Sequence, residues 1–149
     1  MLAAACVSKK VRFFQVHHKS PPEAKASFAT GHTQDISTVL LPTFPFLPAS
    51  VFVVTCATGT DEEVQVFSIK GAPLAKFRPG CGRNYRVATN RDASLLAVAG
   101  WSAEAKVWGI NKTNTGEFTK LSKAMSLTGA SVRFLHTCGC CACRVVVTL

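Results

Sequence analysis

The chain has 149 residues, 48% of them hydrophobic and 17% charged, with a formal net charge of +9. That length suits one modest domain, and that balance excludes a disordered chain. No apolar run reaches the length of a membrane-spanning helix, and "MLAAACV" is too short for a signal-peptide core and follows no basic segment.

In chain order the pattern is a succession of short strands and turns. "KVRFFQV" (10–16) alternates as a half-buried strand does, and "HHKSPPEAK" is a polar connection holding His17 and His18, read as solvated. "ASFAT" is a strand, Gly31–His32 a turn, and "ISTVLLP" a second strand, after which "TFPFLPAS" reads as a proline-rich loop. "VFVVTCAT" (51–58) is a buried strand and "GTDEE" (59–63) a tight turn. Asp61, Glu62 and Glu63 are the one acidic run of the chain, expected on an exposed edge. "VQVFSI", "KGAP" and "LAKF" give strand, turn and strand.

The same order then returns. "RPGCGR" is a turn, "NYRVAT" a strand, "NRDAS" a turn, "LLAVAG" a buried strand, "WSAE" a turn, "AKVWGI" a strand, "NKTNTG" a turn and "EFTKLSKAMSL" an outer polar strand. "TGASVRFLHT" opens a further round, with "CGCCA" at its turn and "CRVVVTL" as a strand. No window sustains a helical period, so the fold class is all-β.

Three strands share one internal order, aliphatic–polar–apolar–aromatic: the aromatics are Phe14, Phe67 and Trp108, spaced by 53 and 41 residues. A four-strand unit recurring at that spacing is the signature of β-propeller blades, with the third-strand aromatic expected between neighbouring blades. The segments are 1–30 as the last two strands of one blade, 31–78 and 79–128 as whole blades, and 129–149 as the start of another. Two whole blades cannot close a ring. The expectation is an incomplete propeller, a piece of a longer chain or one needing a second copy.

These residues resemble the WD-repeat family, and its transducin beta-like branch in particular. The Gly31–His32 pair, "NRDASLLAVAG" (90–100) with Asp92 at its turn, and "VW" (107–108) match the family pattern. Residues 50–135 are similar to that branch in order, including "VFSIKGAPLAKF" and the Gly-Glu-Phe of an extended hairpin. Phe67 stands where the family has Trp, six residues after Asp61, while Gly109 and Ala130 replace the family's Asp and His. The resemblance implies a His–Ser/Thr–Asp–Trp hydrogen-bond network in each blade. The first blade offers His32, Thr58 and Asp61, but Phe67 has no N–H to donate; the second keeps Trp108 and loses the His and turn Asp. It also implies a non-catalytic protein-interaction scaffold, cytoplasmic and linked to endoplasmic-reticulum stress signalling.

Seven cysteines are present: Cys6, Cys56 and Cys81 are scattered, and four crowd into "CGCCAC" (138–143). That is no secreted disulfide framework, and a reducing compartment fits better. His136, Cys138, Cys140, Cys141 and Cys143 are soft ligands whose spacing does not suit structural zinc. A free-thiol turn is the favoured reading, with a soft-metal cluster as the alternative, and no cofactor is called for. His32 reads as turn-stabilising, and Asp61 and Asp92 as turn caps. No nucleophile order is visible, so no enzyme is expected. Partner contacts are expected at Arg83, Tyr85 and Arg86 near one rim and Lys112 and Asn114 in the long hairpin, the partners being other proteins. The alternative is RNA or the ribosome, drawn by the basic surface.

Overall fold

The computed structural model describes residues 2–5, 8–15, 19–41, 52–90, 92–128, 132–135 and 144–147. Among them all regular structure is antiparallel β-sheet, and there is no helix. The first sheet holds β1 (Leu2–Ala5), β2 (Lys10–Gln15) and β3 (Glu23–Ala29). The second holds β4 (Ile36–Leu40), β5 (Phe52–Ala57), β6 (Val64–Ser68) and β7 (Pro73–Phe77). The third holds β8 (Asn84–Thr89), β9 (Leu95–Gly100), β10 (Glu104–Lys112) and β11 (Phe118–Thr128). The fourth pairs β12 (Val132–Leu135) with β13 (Arg144–Val147). Each strand pairs with its sequence neighbours, so every sheet is a meander.

One expectation needs correcting. Residues 1–30 form three strands rather than two, because Leu2–Ala5 pairs with Val11–Phe14. "LAAA" has neither alternation nor bounding turn residues to announce it. Its strand state comes from its partner.

β5, central in the second sheet, is buried on both faces, which is why "FVVTCA" shows no alternation: all six of its residues are inaccessible. Phe52, Val54 and Cys56 join a core with Val87, Leu96, Val98, Trp108 and Ile110 of the third sheet. Val53, on the other face, packs with Val11 and Phe13 of the first. The first three sheets therefore stack as consecutive layers, face to face.

The strongest regularity lies in the register. In each of the first three sheets the last two strands meet through a bulge, at Phe13/Phe14, Val66/Phe67 and Val107/Trp108. In each case the extra residue is on the last strand of the sheet: Lys25, Leu74 and Ala124. A bulge twists and bends the strand that carries it, and its position is a built feature of a sheet. The three bulges fall at the same place in their sheets, between the last two strands.

Phe14, Phe67 and Trp108 each follow that bulge. Since successive side chains alternate faces, each lies on the face turned away from the next sheet and toward the preceding one. Phe67 meets Phe28 of β3 at a ring separation of 5.0 Å, and Trp108 meets Phe77 of β7 at 4.8 Å. Phe14 has no preceding sheet among the described residues and stays partly exposed, while its neighbour Phe13 turns inward at 2% exposure.

Close backbone approach is used at Gly100, opposite Asn84. A Cβ there would lie 2.4 Å from the Cys81 carbonyl oxygen and 2.5 Å from that of Arg83. Both obstacles are backbone, so Gly100→Ala is expected to destabilise the chain by about 1–3 kcal/mol. Urea denaturation reads this, and an unchanged midpoint would contradict the close approach.

Candidate functional site

The connection between the first and second sheets, residues 30–35, carries most of the buried polar chemistry. Gly31 takes φ +75°, a left-handed conformation open to glycine, and turns His32 inward. The His32 Nε2 lies 2.9 Å from the Thr55 hydroxyl and its Nδ1 3.4 Å from the Asp61 carboxylate. The tautomer that satisfies both contacts donates from Nδ1 to Asp61 and accepts at Nε2 from Thr55. Asp61 also accepts from the Thr33 amide at 2.6 Å, the Thr33 hydroxyl at 3.0 Å and the Gln34 amide at 3.4 Å. Gln65, paired with Thr55 across the sheet, donates to Glu63 at 3.1 Å.

Two sequence expectations change here. The hydroxyl bound to His32 is Thr55, while Thr58 donates to the Asp35 carbonyl oxygen. Asp61 and Glu63 are buried rather than exposed: His32, Thr33 and Gln34 close over Asp61, and Gln65, Lys76 and Arg78 reach Glu63. Gln65 joins the group without any mark in the sequence. The lone hydroxyl of Thr55 within an apolar run was the available signal, since a buried polar group needs a partner.

Electrostatics follow from this packing. Burial pushes the His32 imidazole below its ordinary value, and Asp61 only partly offsets it, so the ring is neutral. Burial opposes the charge on Asp61, but the Thr33 amide and hydroxyl and His32 outweigh it and hold the carboxyl below its usual range. The sign for stability is then fixed. Unfolded His32 takes a proton near pH 6.5 that the folded chain refuses until lower pH. Stability is full above pH 6.5 and falls below it, by about 1.4 kcal/mol per pH unit for one proton. Asp61 adds to the loss as pH falls from 3.8 through its lower folded value. Urea titrations between pH 7.5 and pH 5 (a window of about 2.5 units) should show a steeper fall for the native chain than for His32→Gln. Parallel curves would contradict the buried neutral imidazole.

Thr55, His32 and Asp61 have the hydrogen-bond order of a nucleophile–base–orienter triad. Access separates them from one. Thr55 is 0% exposed in mid-strand, and the His32 and Asp61 side chains are 0% and 1% exposed. No substrate reaches that hydroxyl. His32, Asp61 and Glu63 also offer ligand atoms within 4.8 Å of one another. Those atoms are already engaged: His32 at both nitrogens, and Glu63 by Gln65 and by Lys76 at 2.8 Å. The donor set works as a closed hydrogen-bonded latch.

Latches of this kind recur. Residues 30–35 are held from the first sheet by the β1–β2 turn, where the Lys9 carbonyl oxygen accepts from the Thr30 amide and hydroxyl. They are held from the second sheet by Asp61. Residues 78–83 are held likewise, from the second sheet by Arg78–Glu63 at 3.5 Å. From the third sheet, the Ser102 amide donates to Cys81 at 2.9 Å and Lys106 to Pro79 and Gly80. Arg83 lies 4.8 Å over the Trp101 ring, a cation–π contact where the second sheet uses His and Asp.

The remaining expected site residues are dispersed. Asp92 accepts from the Ser94 hydroxyl at 2.9 Å and so closes the β8–β9 turn. Lys112 donates to the Asp92 carbonyl oxygen. Arg83 and Asn114 are exposed and Arg86 is partly so. The Tyr85 side chain lies outside the described set, as do residues His136, Cys138, Cys140, Cys141 and Cys143, and His17 and His18. Cys56 and Cys81 are buried, and burial pushes the Cys56 thiol up to about 12. Such a thiol is a packing group rather than a nucleophile.

A groove of about 350 Å³ opens between the outer strands β7 and β11. Phe77, Trp108, Phe118 and Leu121 line it, together with Lys76, Lys120 and Lys123. No family model matches the chain, and no curated protein matches it. No helix among the described residues is long and apolar enough to cross a membrane.

Proposed function

We propose that the chain is a run of WD-repeat propeller blades of the transducin beta-like protein 2 kind, working as a non-catalytic protein-interaction scaffold. The observation that carries this is the aromatic after a bulge at the same place in each of the first three sheets, set against the outer strand of the sheet before it in two of the three cases. Blade boundaries then fall at residues 30, 78 and 128. The His32–Thr55–Asp61 contacts are the family network in one blade, with Phe67 leaving its fourth member out. Function is by display: rigid stacked sheets hold turns and edges for partners. The cytoplasm, with a link to endoplasmic-reticulum stress signalling, is the setting the resemblance implies.

The net charge of +9 and the exposed Trp101 beside Arg83 favour RNA or ribosome contact as a second reading. Salt separates the two. Capture of one defined protein on the immobilised chain should persist from 50 mM to 200 mM salt (about a fourfold step). RNA capture should fall by about a hundredfold or more over that step. Steep loss of all bound material would overturn the scaffold reading.

A further inference from the structure

We propose that the groove between β7 and β11 receives an extended acidic peptide of a partner protein, apolar at alternate positions. This rests on the scaffold reading and gives it a surface. Among the described residues β7 and β11 are edge strands of adjacent sheets, each pairing along one of its two backbone edges. A free edge offers N–H and C=O groups to an added strand. Beneath them Phe77 and Trp108 form a floor, continued by Leu121. Leu74, on the β7 bulge, is 40% exposed at its mouth.

Charge selects the occupant. Lys123 stands opposite Trp108 in register, so it shares the face that looks onto the floor. Lys120 lines the same groove. Among the described residues neither has a carboxylate within ion-pair distance, and no carboxylate lines the groove. Lys76 is the exception, already paired with Glu63. An apolar floor under unpaired cations complements alternating Leu or Phe with Asp or Glu, because side chains of an extended strand point alternately down and up. A nucleic acid fits less well: base stacking needs an open ring face, and Trp108 is 9% exposed. A second copy of this chain would bring like charge to like charge along β11.

The probe is a fluorescein-labelled peptide of about eight residues alternating Leu or Phe with Asp or Glu, long enough at roughly 3.3 Å per residue to span the groove. Fluorescence anisotropy is read against the native chain and Lys120→Glu/Lys123→Glu. Native binding should be micromolar, and the charge-reversed chain about tenfold weaker or more. A lysine-for-acid version of the peptide should recover on the charge-reversed chain. Lys120→Gln/Lys123→Gln gives the same direction if the reversed chain unfolds by circular dichroism. Equal binding to native and substituted chains overturns the proposal. So does tighter binding of a single-stranded oligonucleotide, or self-association that the substitutions abolish. No peptide binding by the native chain, with protein capture intact, sinks the groove alone; neither peptide binding nor protein capture by the native chain sinks the scaffold reading too.

Discussion

Asp61→Ala is expected to cost about 2–4 kcal/mol, because it strands a buried imidazole N–H and removes the acceptor of three further donors. The Thr33 and Gln34 donors reach water more easily than His32, whose side chain is wholly inaccessible. The imidazole therefore dominates the loss. Asp61→Asn keeps an acceptor oxygen and should cost less, about 1–2 kcal/mol. Against a domain stability of about 5–15 kcal/mol, the alanine change is a large fraction. Urea denaturation at pH 7.5 reads it, compared at a constant dependence on denaturant. A loss below about 0.5 kcal/mol would place Asp61 among surface residues and remove the latch.

Deleting the inter-sheet rings should cost as much or more. Phe67→Ala and Trp108→Ala each remove a buried aromatic, 4% and 9% exposed, from a contact between two sheets. Each is expected to lose about 3–5 kcal/mol. Phe14 follows the same bulge without a preceding sheet among the described residues, so Phe14→Ala should lose less than about 1.5 kcal/mol. The contrast decides the matter, since equal losses at all three would mean the rings act within their own sheets. A double-mutant cycle on Phe77 and Trp108 should return a coupling of about 1 kcal/mol.

What could be read in advance divides along physical lines. Strand alternation around Phe67 and Trp108 is local, so order, turns and third-strand aromatics were visible in the chain. Leu2–Ala5 was missed because its strand state comes from pairing with β2. Thr55 and Thr58 are both hydroxyls near one turn, and choosing between them requires knowing which face of a doubly buried strand meets His32. Asp61 looks like a surface acid until residues 32–34 are folded over it, and Glu63 until Gln65 and Lys76 meet it. The bulges at Lys25, Leu74 and Ala124 exist as register between strands, and no single segment carries them. The groove needs two sheets in place before Phe77 and Trp108 share a floor with Lys123.

The central claim is that the second and third sheets are successive copies of one unit, each third-strand ring set on the outer strand before it. Proton NMR tests it directly through nuclear Overhauser contacts between ring protons. Ring separations of 5.0 Å and 4.8 Å predict cross-peaks for Phe28–Phe67 and for Phe77–Trp108 in the folded chain. A folded chain with well-dispersed spectra and neither cross-peak would contradict it.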